Sequence, residues 1–211
     1  MSSGVKFLSL TWNDVEEAVI ELAERVEEAG ERVDVVVGVM RGGWIVARLI
    51  ADLLGVRDIG ALEVKFYRGI QGRSERPVIV QPLLLDVRDR NVMIVDDVAD
   101  TGKSLQVAVN AVNLYGPKTT KTLTLYVKPW SIIVPDFYYA STDRWIIFPW
   151  EPREIIEELV RAEYKAFPRS REELEAIAAE IAATTGIDVK RVAKILALIA
   201  SSRDVGRSAL K

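Results

Sequence analysis

Three aspartates and a run of small polar groups crowd into one short stretch, NVMIVDDVADTGKSLQ, residues 91–106. Asp96 and Asp97 follow the apolar run Val92–Val95, and Asp100, Thr101, Gly102, Lys103 and Ser104 then make a turn leading into a predicted helix. The first amides of a helix lack internal partners and, together with the helix dipole, form an anion site suited to phosphate. Thr101 and Ser104 add hydroxyl donors, and Gly102 lets the backbone come close. Carboxylates beside such a site serve another end of the ligand, because they accept hydrogen bonds from hydroxyls or hold magnesium. A ribose 5-phosphate presents both ends. A P-loop would need glycine five residues before the glycine of its GK pair, and Asp97 stands there. A solvated acidic turn is the plainer reading of two adjacent acids, but the whole D-D-x-x-D-T-G-K-S string after an apolar strand is far more specific. The chain has no histidine and no cysteine. That excludes Ser–His, Cys–His and thiolate–metal chemistry and leaves acid–base work to Asp, Glu, Lys or Tyr.

These residues need a frame. Residues 14–29 carry a helical pattern opened by Thr11 and Asp14 and closed by Gly30. VDVVVGVM, residues 33–40, is too apolar for an edge strand and suits a parallel strand covered on both faces. Arg41-Gly42-Gly43 interrupts it, and residues 44–54 read as a helix. Residues 61–67 alternate like a strand, 68–77 form a polar segment with the character of a mobile loop, and 78–85 are extended. A buried strand at 92–95, a helix at 102–114 and a strand at 123–127 follow. Strands alternating with helices predict an α/β fold with a mostly parallel sheet flanked by helices. Ligands of such sheets bind at the carboxyl ends of the strands, where MRGG and DDVADTGKS lie. Past Trp150 the pattern is all helical: Pro152 opens one helix, Pro168 breaks it, Ser170 and Glu173 cap the next, and Gly186 marks a turn. The expected organisation is a core over 1–151 with a helical bundle over 152–211.

The bulk composition agrees with a globular chain of 211 residues, 49% hydrophobic and 28% charged. A net charge of −3 gives no basic field for nucleic acid. The start lacks a signal-peptide pattern and no apolar run approaches a membrane span, so the expectation is a cytoplasmic protein without a membrane partner.

The stretch VMIVDDVADTGKSL resembles the phosphoribosyl diphosphate (PRPP) binding motif of type I phosphoribosyltransferases. MRGG resembles the family's pyrophosphate loop, and the segment 68–77 sits where the family has its mobile catalytic loop. Lys128 in YVKPW and the run WIIFPWE, residues 145–151, resemble the base-binding hood of the 6-oxopurine branch. The resemblance covers roughly residues 5–151 and implies that core with a small hood; the C-terminal helical bundle lies beyond it and is absent from compact xanthine–guanine enzymes.

The family pattern implies roles. Asp96 and Asp97 would bind ribose hydroxyls, directly or through Mg2+, and Asp100 would handle the proton at purine N7. Val98 and Ala99 complete the PRPP motif, and the backbone from Asp100 through Thr101, Gly102 and Lys103 to Ser104 would hold the 5-phosphate. Arg41, Gly42 and Gly43 would meet pyrophosphate, with a non-proline cis peptide near Met40–Arg41. Trp145 would stack on the base, the Ile146 backbone would meet its edge, and Lys128 would donate at C6. Glu151 matches an acid that helps hold a second magnesium, beside Asp96 and Asp97. Phe66-Tyr67 stands where oxopurine relatives usually carry Ser-Tyr.

The implied activity is transfer of phosphoribosyl from PRPP to a purine. A core of oxopurine type with a helical tail resembles archaeal adenine phosphoribosyltransferases, which points to adenine and AMP. A lysine donor opposite C6 suits a keto base and keeps the 6-oxopurine alternative open. The tail offers a different class of function. Ala182, Gly186, Val192 and Ile195 have helix-turn-helix spacing, with Lys190, Arg191 and Lys194 on the second helix, as in a PRPP-responsive DNA-binding regulator. Residues 170–211 carry seven basic and six acidic groups, a balance of +1 and little for a DNA reader. Burial of the stripe Leu174, Ile177 and Ile181 within a bundle or a homodimer is the expectation, with no nucleic-acid partner.

Overall fold

A computed structural model of the chain describes residues 4–68, 75–164, 167, 168 and 170–208. These residues divide into two compact units, one spanning 13–143 and the other formed by the N-terminal residues to 12 together with 144 onward.

The larger unit is built on a six-stranded sheet. Strands β2 (Val35–Met40), β3 (Ile59–Arg68), β4 (Glu75–Gln81), β5 (Asn91–Ala99), β6 (Thr119–Val127) and β7 (Phe137–Ser141) lie in the order β4-β3-β2-β5-β6-β7. All neighbours are parallel except β3 and β4, which form an antiparallel pair. Parallel neighbours require crossovers; helix α2 (Gly42–Leu53) connects β2 to β3 and α3 (Lys103–Asn113) connects β5 to β6, while α1 (Trp12–Glu28) leads into β2. Strand alternation sends successive side chains of β2 to opposite faces. Val35, Val37 and Val39 pack in one core with Leu105, Ala108 and Val112 of α3. Gly38 points the other way: a Cβ there would lie 2.9 Å from both Ala47 Cβ and Trp44 Cα of α2. Helices therefore cover both faces, which is why β2 and β5 read as continuous apolar runs.

The smaller unit contains strands β1 (Phe7–Ser9) and β8 (Trp145–Ile147), paired in parallel, and helices α4 (Pro152–Glu163), α5 (Arg171–Thr185) and α6 (Val189–Ser208). Its core gathers Ile147, Ile155, Ile156, Val160, Ile177, Ile181, Val192, Leu196 and Ile199. Ser170 caps α5 by accepting from the Glu173 amide at 3.1 Å. Gly186 ends α5 in the left-handed region (φ 79°), the geometry that most favours glycine. Val192 is fully buried, while Ala182 and Ile195 pack against the same core. Of the residues at that spacing, Ala182, Val192 and Ile195 pack within the bundle and Gly186 makes the turn. Arg191 donates to the Pro149 carbonyl at 2.8 Å.

The structure departs from the sequence reading at several strand boundaries, with β4 ending at Gln81 and β6 beginning at Thr119. β5 continues through Asp96 and Asp97 to Ala99 instead of ending at Val95, because Asp96, Val98 and Ala99 still pair with Thr124, Tyr126 and Val127 of β6. That pairing outweighs the low strand preference of aspartate. β3 reaches Arg68 and β4 begins at Glu75, so the two ends of the expected loop are strand, while residues 69–74 lie outside the described residues. β1, β7 and β8 are short strands whose patterns gave no strand signal. Among the described residues no helix is long and apolar enough to cross a membrane.

Candidate active site

The site is assembled at the carboxyl ends of β2, β5 and β6. At the end of β5, Asp96 and Asp97 are each only 8% exposed. Their carboxylates are pinned by local bonds: Asp96 Oδ1 accepts from the Asp97 amide at 3.0 Å, and Asp97 Oδ1 from the Val98 amide at 2.8 Å. Because both sit in a strand, their side chains leave opposite faces. A cleft of about 250 Å³ is lined by Phe66, Asp96, Val98, Ala99, Asp100, Thr101, Gly102, Ser104 and Leu105. Asp97 and Lys103 are not part of its wall.

One end of the cleft is the start of α3. Gly102 precedes the helix at φ 77°, and no side chain caps the helix. A Cβ on Gly102 would fall 2.5 Å from Ser131 Oγ and 2.7 Å from Ile133 Cγ2, so glycine is demanded by both conformation and space. Thr101 Oγ1 accepts a long bond of 3.4 Å from the Lys103 amide.

The MRGG turn lies behind Asp96. The Met40–Arg41 peptide is cis, as the family resemblance implies. Arg41 precedes α2 without a side-chain cap bond. A Cβ on Gly43 would lie 2.7 Å from Asp96 Cα, Asp96 Oδ1 and the Val95 carbonyl oxygen. The first turn of α2 therefore rests directly on the backbone that carries Asp96.

The segment after β6 closes against the cleft loop. The Lys128 amide donates to the Ala99 carbonyl at 3.0 Å, and the Ile132 amide to the Thr101 carbonyl at 3.1 Å. Lys128 is 7% exposed; burial lowers its pKa, partly offset by the negative charges of Asp100 and Asp143. Its ammonium stands 5.6 Å from the centre of the Trp130 ring. The Trp130 indole Nε1–H in turn donates to Asp100 Oδ1 at 2.9 Å. Sequence reasoning missed Trp130 and Phe66 as site residues. Trp130 had a usable signal, an aromatic two residues past the end-of-strand lysine.

Trp145, Ile146 and Glu151 belong to the smaller unit. Trp145 is half-exposed on β8, with its amide bonded to the Lys6 carbonyl at 2.8 Å. Ile146 is buried and pairs with Leu8. Glu151 precedes α4, and its carbonyl accepts from the Glu154 amide at 2.9 Å. Among the described residues no group of three or more acidic side chains is clustered tightly enough to hold a metal by itself.

Residues 10–154 match the family described as the phosphoribosyl transferase domain. The xanthine-guanine phosphoribosyltransferase of Gluconobacter oxydans is 27% identical over 162 residues, 75% of this chain and 94% of that protein. The enzyme of the same name from Cereibacter sphaeroides is 30% identical over 152 residues, 69% of this chain and 87% of its own. Among solved structures, a purine phosphoribosyltransferase from Pyrococcus horikoshii is 44% identical, with a TM-score of 0.64 over 68% of this chain and 93% of that one.

Proposed function

The chain belongs to the phosphoribosyl transferase domain family, and from that premise we propose that it is a purine phosphoribosyltransferase acting on 6-oxopurines. It joins the base to the anomeric carbon of PRPP and releases pyrophosphate. The observation that carries the reading is the cleft in which the Asp96 and Asp100 region meets the uncapped start of α3. One end suits a sugar phosphate and the other a ribose edge and a proton.

In this reading the α3 amides with Thr101 and Ser104 hold the 5-phosphate, and Asp96 accepts from ribose hydroxyls. The bond from the anomeric carbon to pyrophosphate breaks as the bond to purine nitrogen forms. Positive charge develops on the sugar, and the nearby carboxylates stabilise it. Asp100 takes up the proton that the purine loses. Arg41 and the amides of Gly42 and Gly43 receive the departing pyrophosphate. No covalent nucleophile is needed, in keeping with a chain that lacks cysteine and histidine.

Magnesium suits this donor set. Among the described residues no three acids cluster tightly enough to hold a metal by themselves, which fits an ion that keeps most of its ligands from water and substrate phosphates. Asp96, which lines the cleft, would hold it, with Glu151 as a further candidate, and it would neutralise charge on the leaving pyrophosphate; Asp97, on the opposite face of β5, does not share that ion.

Two features favour a keto base over adenine, the first choice from sequence. Two of the relatives described above, those of Gluconobacter oxydans and Cereibacter sphaeroides, are named for xanthine and guanine, and Lys128 beside Asp100 is a donor suited to an oxygen at C6. Trp145, half-exposed, is proposed to stack on the base, with the Ile146 backbone at its edge. The working state is proposed to be a homodimer, testable by sedimentation. The deciding assay supplies PRPP and Mg2+ with adenine, hypoxanthine, guanine or xanthine and follows nucleotide formation. Turnover of the keto bases is expected. Preferential AMP formation overturns the base assignment, and no nucleotide from any base overturns the reading.

A further inference from the structure

We infer that Trp130 is a positioning residue that fixes the Asp100 carboxylate and ties it to Lys128; this rests on the function proposed above. Asp100 stands in an exposed turn, where an aspartate would sample several rotamers. Proton transfer, by contrast, needs the carboxylate within hydrogen-bond reach of one substrate atom. The Trp130 indole removes that freedom. Its N–H can only donate, and it engages Asp100 Oδ1 at 2.9 Å. Oδ2 is then the oxygen that meets the purine proton.

The indole is itself held in place. The Ser131 amide donates to the Lys128 carbonyl at 3.0 Å, making a tight turn around Trp130. The bonds from Lys128 to Ala99 and from Ile132 to Thr101 staple both sides of that turn to the cleft loop. Gly102 leaves the space that Ser131 and Ile133 occupy. Lys128 adds its charge near the indole ring. One aromatic plane thus sets the separation between the group assigned to the proton and the group assigned to C6. The two corresponding purine atoms lie on one edge of the base, so that separation governs whether both are met at once.

The test compares wild type, Trp130→Phe, Asp100→Asn and the double variant in single-turnover nucleotide formation. Trp130→Phe keeps an aromatic ring beside Lys128 and removes the N–H together with the five-membered half of the indole. It should lower the single-turnover rate constant about tenfold, equivalent to about 1.4 kcal/mol, with PRPP affinity unchanged within about twofold. In the Asp100→Asn background the same change should add nothing, because the bond serves only the carboxylate. A spectroscopic arm is independent of activity: of the five indole N–H signals, the one lost in Trp130→Phe should move in Asp100→Asn. An unchanged rate in Trp130→Phe, additive losses in the double variant, or an unmoved signal each overturns the inference. An inactive wild type overturns the proposed function instead, and the indole signal still decides whether Trp130 holds Asp100.

Discussion

Gly43→Ala isolates the contact on which Asp96 rests. The new methyl would sit 2.7 Å from three atoms, two of them backbone and the third the Asp96 carboxylate oxygen. Carbon atoms pack at about 3.5–4.0 Å, so α2 and β5 must separate by roughly 1 Å. β5 is hydrogen-bonded on both sides and Val95 is fully buried, so neither neighbour yields easily. Overpacking of this kind costs about 1–3 kcal/mol, and contact with backbone puts it near the top of that range. The exchange of glycine for alanine in a helix returns at most about 1 kcal/mol. The clash therefore wins by about 2 kcal/mol, which for a chain of this size is a fall of about 4–8 °C in Tm. Activity should suffer more, because a shift of about 1 Å at a reacting centre can cost about a hundredfold. Gly55→Ala is the control. Gly55 has φ 65° and nothing within 4 Å of its would-be Cβ, so it should lose about 1–2 kcal/mol from backbone strain and keep full activity. Thermal melts and initial rates of nucleotide formation on both variants decide the matter. A Gly43→Ala protein with unchanged Tm and full activity refutes the argument.

Other outcomes follow from the same geometry. Asp100→Asn should reduce turnover by about 10²–10⁴-fold with Tm within about 1 °C, checked by single-turnover rates and calorimetry; a loss below threefold removes Asp100 from the chemistry. Trp145→Ala should raise the KM for the base about tenfold, the scale of a stacking contact, and leave that for PRPP unchanged, checked by varying each substrate in turn. Tyr164 in the smaller unit has its pKa raised from 10.0 to about 12, first by burial and then by its hydrogen bond to Glu180. A raised pKa means the folded state holds the proton more tightly, so this contribution is complete below pH 10 and is lost as pH climbs through about 12. Denaturant titrations of Tyr164→Phe should therefore show a weaker fall in stability between pH 10 and 12 than wild type shows.

Much of this protein was legible from local pattern. The β2 run, the helix after Gly102, the Ser170 cap and the Gly186 turn are set by residues within a few positions of one another. The string from Asp96 to Ser104 carried the proposal of a phosphate and sugar ligand by residue type alone. The absence of histidine and cysteine narrowed the acid–base groups before any fold was considered.

Tertiary structure decided the remainder. Whether β5 stops at Val95 or runs to Ala99 depends on β6, a partner almost thirty residues away in the chain. That extension puts Asp96 and Asp97 on opposite faces, so only Asp96 lines the cleft. Gly43 looked like a turn glycine, and its contact with Asp96 exists only because α2 crosses β5. Trp130 reaches Asp100 across 30 positions. Spacing along a chain reports periodicity and caps, because those interactions close within a turn or two. It carries no record of which distant backbone will supply the missing hydrogen bond or fill the space beside a glycine.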